Sequence, residues 1–181
     1  MYRPPRAPHP GSRPPGPGLR PPARRGQDPA VTARPRPVPD AVSAAYWAGA
    51  DRGALTVAHC DACGRAHHPP EPACPRCGAD GPRPRVVSGR GTVFAACVVR
   101  QAFDAAFADA VPYHLALVAP DDAPEVRILT NLLGADPAEP VAVGTPVAVE
   151  FEPATGVGAR VDARVGEGDG VALPQFRVVG P

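Results

Sequence analysis

Two pairs of cysteines, Cys60-Asp-Ala-Cys63 and Cys74-Pro-Arg-Cys77, are each followed at once by a glycine, Gly64 and Gly78, with ten residues between the pairs. A two-residue gap lets both sulfurs of a pair turn toward one point, and the glycine permits the tight turn in which backbone N–H groups aim at thiolates. Two such knuckles facing each other describe a tetrahedral zinc site, a zinc ribbon whose expected ligands are Cys60, Cys63, Cys74 and Cys77. The ribbon arms carry too few apolar residues for a core of their own. The metal must therefore supply much of the local folding energy, about 10–16 kcal/mol for structural Zn²⁺ sites. Catalytic zinc needs an open coordination position, and four thiolates leave none.

Other cysteine chemistry fits less well. Two disulfides would need an oxidising compartment, yet Met1-Tyr-Arg-Pro-Pro-Arg6 has no apolar signal-peptide core and no run approaches membrane-spanning length. The expected location is cytoplasmic, without a membrane partner. A redox dithiol at Cys74-Pro-Arg-Cys77 would sit at the start of a helix, which Gly78 and the nearby prolines oppose. His59, His67 and His68 could replace a cysteine as ligand, but with four cysteines present they read as solvated histidines of the ribbon arms. The fifth cysteine, Cys97, lies in the apolar run Val93-Phe-Ala-Ala-Cys-Val-Val99 and reads as a buried, inert thiol.

The surrounding chain divides sharply. Thirteen of its 28 prolines fall within residues 1–39, together with eight arginines against the single carboxylate Asp28, a balance of +7. With no periodic apolar face, this stretch cannot offset its ordering entropy and reads as a disordered Pro/Arg-rich arm. The remaining eleven arginines face seventeen carboxylates, a balance of −6, so the overall +1 conceals the split. All the basic residues are arginine and none is lysine, which with the abundance of Ala, Gly and Pro suggests a composition-biased source.

From residue 40 a helix is expected over 40–53, capped by Asp40, with an apolar face of Val42, Ala45, Tyr46, Trp47 and Ala48 and a stop at Gly53. A ribbon over 54–84 follows, with arms at 54–59 and 65–69. Residues 85–181 then alternate as strands: 85–100 as one long strand bent at Gly89 and Gly91, then 113–119, 126–133, 147–152 and 174–179. The fold class is thus mainly β, and five strands in this compass fit an OB-fold barrel. Residues 101–111 carry Phe103 and Phe107 at helical spacing and suggest a short helix or ordered loop. Residues 154–170, rich in glycine, suggest a flexible one.

In this order the motifs resemble a family of small proteins that join a rubredoxin-like zinc ribbon to an OB-fold and accompany thiolase-like enzymes. The resemblance rests on 45–53 (Ala-Tyr-Trp-Ala-Gly-Ala-Asp-Arg-Gly), both cysteine knuckles, Pro69-Pro70, Ser88-Gly-Arg-Gly-Thr-Val93, Pro112-Tyr113, Leu129-Thr-Asn-Leu132, Gly144-x-Pro-Val147 and Leu173-Pro-x-Phe176. It implies a non-catalytic subunit, in a hetero-oligomer, that binds acyl-CoA or helps a partner bind it. That partner would be a thiolase, an aldolase or a hydratase in lipid or steroid side-chain metabolism. Some steroid-pathway relatives carry a fused hydratase domain; here the extension before the helix is only the Pro/Arg arm, so no hydratase activity in cis is expected. No catalytic set stands out, since Ser88 has no assignable base and Asp121, Asp122 and Glu125 read as solvated turn carboxylates.

A coenzyme A tail calls for guanidinium donors beside an apolar slot. The residues expected to meet it are Arg90, Arg100, Arg127, Phe103 and Tyr113, with Phe94 nearby. The rival reading is a single-stranded nucleic-acid-binding module, because zinc ribbons and OB-folds serve that role elsewhere. Charge opposes it: residues 86–181 hold six arginines against twelve carboxylates, where a polyanion needs a basic groove.

Overall fold

The computed structural model describes residues 36–153 and 171–180. The expected arm up to residue 35 and the expected loop at 154–170 lie outside the described residues.

Asp40 opens the ordered chain as expected. Its carboxylate accepts from the backbone N–H of Val42 and Ser43, while its own N–H donates to the Ser43 hydroxyl, a reciprocal cap. Helix α1 (Ala44–Asp51) follows and ends where Gly53 N–H bonds the Ala50 carbonyl. Its buried face differs from the expected one: Gly49 and Ala50 are buried and Tyr46 and Trp47 half-buried, whereas Val42, Ala45 and Ala48 are exposed. The cause is close approach. A Cβ on Gly49 would stand 2.9 Å from the Ala54 carbonyl oxygen and 3.0 Å from Thr56 Cγ2, so the glycine side of the helix is the one that can lie on the first strand.

That strand, β1 (Thr56–His59), is central in an antiparallel sheet of order β2-β1-β3, with β2 (Ala66–His67) and β3 (Arg83–Val86). The five strands β4 (Arg90–Val99), β5 (Tyr113–Pro120), β6 (Ile128–Leu133), β7 (Pro146–Glu152) and β8 (Leu173–Val178) close into a barrel of order β4-β5-β6-β8-β7. Only β6 and β8 run parallel; the other pairs are antiparallel, the OB-fold arrangement. The fold class is therefore as expected.

The single long strand at 85–100 is corrected to two. The chain leaves the ribbon sheet after Val86 and enters the barrel at Arg90. Between them Gly89 sits at φ +76°, and a Cβ there would meet Val149 Cγ1 at 2.4 Å, so only glycine allows the turn and the tight passage across β7.

Along β4 the pairing with β5 slips between Val93 and Ala95, a β-bulge. A one-residue slip exchanges inside and outside. Val93 points into the core, but beyond the bulge it is Ala96 that packs there, while Phe94 and Cys97 face out. Cys97, expected to be buried, is consequently exposed. Inside, Phe176, Ile128, Val93, Val118 and Val147 are nearly or wholly inaccessible. His114, also sealed there, places Nε2 2.7 Å from the Glu139 carbonyl oxygen.

Ribbon and barrel share one core. Leu55, Val57 and Ala66 from the ribbon side pack in the same cluster as Val87, Ala123, Val126 and the barrel residues. Polar ties reinforce the join at the β5–β6 turn. Asp122 accepts from Ser88 N–H at 2.8 Å, Arg85 donates to the Asp122 carbonyl at 2.9 Å, and Glu125 accepts from Ala66 N–H at 3.1 Å. The Glu125 carboxyl is held below its ordinary range by backbone N–H donors, its own and that of Ala66. Asp122 and Glu125 are thus structural acceptors rather than merely solvated carboxylates.

Candidate zinc centre and barrel groove

The two knuckles repeat one geometry. Gly64 N–H bonds Cys60 O and Gly78 N–H bonds Cys74 O, each at 2.8 Å, with the glycines at φ +70° and +75°. Cys60 N–H bonds Arg65 O and Cys74 N–H bonds Ala79 O in matching fashion. The first cysteine of each pair is buried and the second exposed. Four sulfurs held about 2.3 Å from one tetrahedral zinc ion stand roughly 3.8 Å apart. Here Cys60 Sγ and Cys77 Sγ are 3.6 Å apart, Cys63 Sγ and Cys74 Sγ 3.7 Å, and all four lie within 4.8 Å of one another. A disulfide would need about 2.05 Å. The backbone N–H groups of Cys77 and Arg76 point at Cys74 and hold its thiol down to about 7. At Cys77 the Ala79 N–H is outweighed by the crowding of the other sulfurs and by burial, which push that thiol up to about 11, so without a cation the four cannot all be thiolates. The donor set fits one structural Zn²⁺ bound by four cysteines.

The histidines depart from expectation. His59 is 3.4 Å from the Asp61 carboxylate, but the ring nitrogens of His67 and Nδ1 of His68 are buried rather than solvated. His68 packs against the Tyr46 ring at 5.0 Å between centroids, and burial, aided by neighbouring His67, lowers its pKa to about 4. Burial likewise raises Tyr46 to about 12. These residues floor the join of α1 and the ribbon, beside an apolar cavity of ≈ 330 Å³ bordered by Val42, Tyr46, Ala58, Pro70, Glu71 and Pro84.

The five residues expected to meet coenzyme A do not converge. Arg90 opens β4 and Arg100 follows its end, separated by about 30 Å of strand at ~3.3 Å per residue. Arg127 stands near the Arg90 end, with its guanidinium 3.9 Å above the ring of the bulged Phe94 and donating to the carbonyls of Pro124 and Val126 at 2.6 Å. Arg100 donates to the Ala138 carbonyl at 3.0 Å. Phe103 is 91 % exposed, and the expected short helix is a single 3-10 turn, Ala105–Phe107. Of the five, Tyr113 borders a sizeable cavity among the described residues.

That cavity, ≈ 550 Å³, lies against β5, β6, β7 and β8 beside the 3-10 turn, bordered by Phe107, Tyr113, Asn131, Glu150, Glu152 and Gln175. Register places its polar row. Leu115 pairs with Asn131, Leu132 with Phe176, and Gln175 with Glu150. Asn131, Gln175 and Glu150 therefore stand on neighbouring strands. Sequence reasoning missed this row because its members are far apart in the chain and become neighbours only when β8 inserts between β6 and β7.

Comparison with known proteins gives concordant results. Residues 47–83 match the family described as "ChsH2, rubredoxin-like zinc ribbon domain", and residues 84–152 match "ChsH2, C-terminal OB-fold domain". A "Probable enoyl-CoA hydratase alpha subunit" of Thermomonospora curvata is 32 % identical over 118 residues, 65 % of this chain. The chain spans only 35 % of the length of that relative. Among solved structures, one titled "Ltp2-ChsH2(DUF35) aldolase" aligns with TM-score 0.60 and 28 % identity, covering 79 % of this chain and 98 % of the other. A Sulfolobus solfataricus protein of unknown function from the DUF35 family shares the fold, with TM-score 0.50 and 14 % identity over 77 % of this chain and 86 % of its own.

Proposed function

Because the chain belongs to the ChsH2 family of zinc-ribbon plus OB-fold proteins, we propose that it is the non-catalytic subunit of an acyl-CoA-processing complex. The partner is a thiolase-like enzyme, an aldolase by analogy with the solved aldolase structure or otherwise a thiolase or hydratase, acting in lipid or steroid side-chain metabolism. The observation that carries this reading is the 98 % coverage, at 28 % identity, of a chain from a structure titled as an aldolase with two named components. The hydratase title of the T. curvata protein points to the same thioester chemistry.

The mechanism is positional. Helix α1 and the ribbon form one docking wall, and the barrel with the 101–111 loop covers the entrance to the partner's CoA channel. Binding energy gathered away from the reacting bond then orients the thioester at residues of the other subunit. Arg100 follows Val99, the register partner of Tyr113, and so stands at the same barrel end as the larger cavity. Of the expected arginines it is the one we assign to the CoA phosphates. Arg90 and Arg127, at the other end, are left to the partner interface. Four thiols that must remain free to bind metal suit a reducing compartment such as the cytoplasm. Among the described residues no helix is long and apolar enough to cross a membrane.

The test is reconstitution with candidate thiolase, aldolase and hydratase enzymes from the same organism. One such pair should co-elute on size exclusion, and its retro-aldolase, thiolase or hydratase turnover should rise at least tenfold when the chain is added. A set in which no enzyme binds the chain or changes rate would remove the proposal. Salt-sensitive binding of single-stranded DNA by residues 40–181 would instead favour the nucleic-acid alternative.

A further inference from the structure

The geometry points to the cavity between the 3-10 turn and β5–β8 as a site for a neutral, amide-bearing chain, with the nucleotide end of any CoA ester held elsewhere. Resting on the function proposed above, that chain is the pantetheine arm of the acyl thioester.

The argument begins with charge. Two carboxylates border the cavity, and both are already engaged. Glu150 receives Arg177 through two N–H groups, at 2.5 and 3.0 Å, and its carboxyl is held below the ordinary range by that guanidinium. Glu152 accepts from the Gln175 amide and pairs with Arg36 at 3.6 Å. Among the described residues, the guanidinium groups of Arg177 and Arg36 are thus engaged with the cavity's two carboxylates, so neither is set out for a phosphate. A phosphate entering here would face carboxylates whose cations are committed.

The hydrogen-bonding groups select within neutral ligands. Among the described residues, the Tyr113 hydroxyl and the Asn131 side-chain amide make no hydrogen bond, and Gln175 spends its N–H on Glu152 and keeps its carbonyl oxygen. Together these supply donors and acceptors of the kind that an amide needs at both its N–H and its C=O. Phe107 and the Tyr113 ring add flat apolar wall for methylene groups. The volume of ≈ 550 Å³ falls within the ~300–1,000 Å³ usual for small-molecule sites. Extended amide chains suit a row laid across neighbouring strands; compact anions do not.

The experiment titrates the full-length, zinc-loaded chain with pantetheine, CoA and adenosine 3′,5′-bisphosphate, reading amide shifts by NMR and affinity by calorimetry. Pantetheine should shift the amides of Tyr113, Asn131 and Gln175, with a Kd that is insensitive to added salt. Asn131→Ala should weaken it about tenfold, and Tyr113→Phe by a smaller factor, at unchanged zinc content. Adenosine 3′,5′-bisphosphate should leave those amides unmoved. If CoA binds but pantetheine does not shift these amides, or if the bisphosphate shifts them and competes, the cavity assignment is overturned while the subunit's function stands. If neither CoA nor pantetheine binds, free or in the partner complex, both fall. The wild-type shift map decides the matter even where a variant misfolds.

Discussion

The ribbon and the barrel solve the same problem with opposite means. The ribbon has three short strands, one of only two residues, and leaves every residue of β3 exposed, so it relies on four sulfurs converging on one ion. The barrel has five strands that close on one another and a core in which Phe176 and Val118 are fully inaccessible, so it relies on packing and a closed ring of paired strands. Where metal replaces side chains, sequence can vary around four fixed points; where packing does the holding, each inward position is constrained. Yet the two do not have separate cores, because Leu55, Val57 and Ala66 sit in the barrel's own cluster.

The largest effect should come from the metal. Cys77→Ser, or chelation of the wild type, should remove bound zinc and with it most of the ~10–16 kcal/mol that such sites contribute. Hydrogen exchange should then show β1–β3 amides losing protection while β5–β6 amides keep theirs at a lower melting temperature. Full protection of the ribbon without metal would erase the contrast just drawn.

Phe176→Ala probes the other side and should cost about 3–5 kcal/mol by denaturant unfolding, with one equivalent of zinc retained. Loss of zinc in that variant would show that the ribbon cannot hold its metal without an intact barrel.

A smaller effect belongs to His68 at the junction of α1 and the ribbon. Its folded pKa, about 4, lies below the ordinary value of 6.5, so between those values the unfolded chain binds the extra proton. Stability should be fully present above pH 6.5 and decline as pH falls toward 4, by no more than about 3 kcal/mol. Melting curves of His68→Gln against wild type should diverge only in that window. Parallel curves would show that His68 titrates as an ordinary solvated group.

Much of this was legible in the sequence because the signals were local. Cys-x-x-Cys-Gly is a five-residue statement, and the runs at 113–119 and 147–152 alternate or cluster strongly enough to be placed within a residue or so. What escaped was non-local. Gly89 reads the same whether a strand bends or breaks, and only the demand of Val149 on the other side of the barrel decides it. The Phe94 bulge, invisible in the apolar run, turned Cys97 outward. Asp122 and Glu125 looked like surface charge because their partners, Ser88 and Ala66, are 34 and 59 residues away. The arginines were grouped by type, whereas the length of β4 holds Arg90 and Arg100 at opposite ends.

The clasp of Asp122 and Glu125 over the buried Leu55–Val87 contact has a mechanical consequence. It removes the hinge that a short connector between two modules would otherwise provide, so the knuckles and the barrel wall keep a fixed mutual angle before any other protein arrives. A surface that engages both at once then spends none of its affinity on aligning them, and a misfit on one side cannot be relieved by swinging the other.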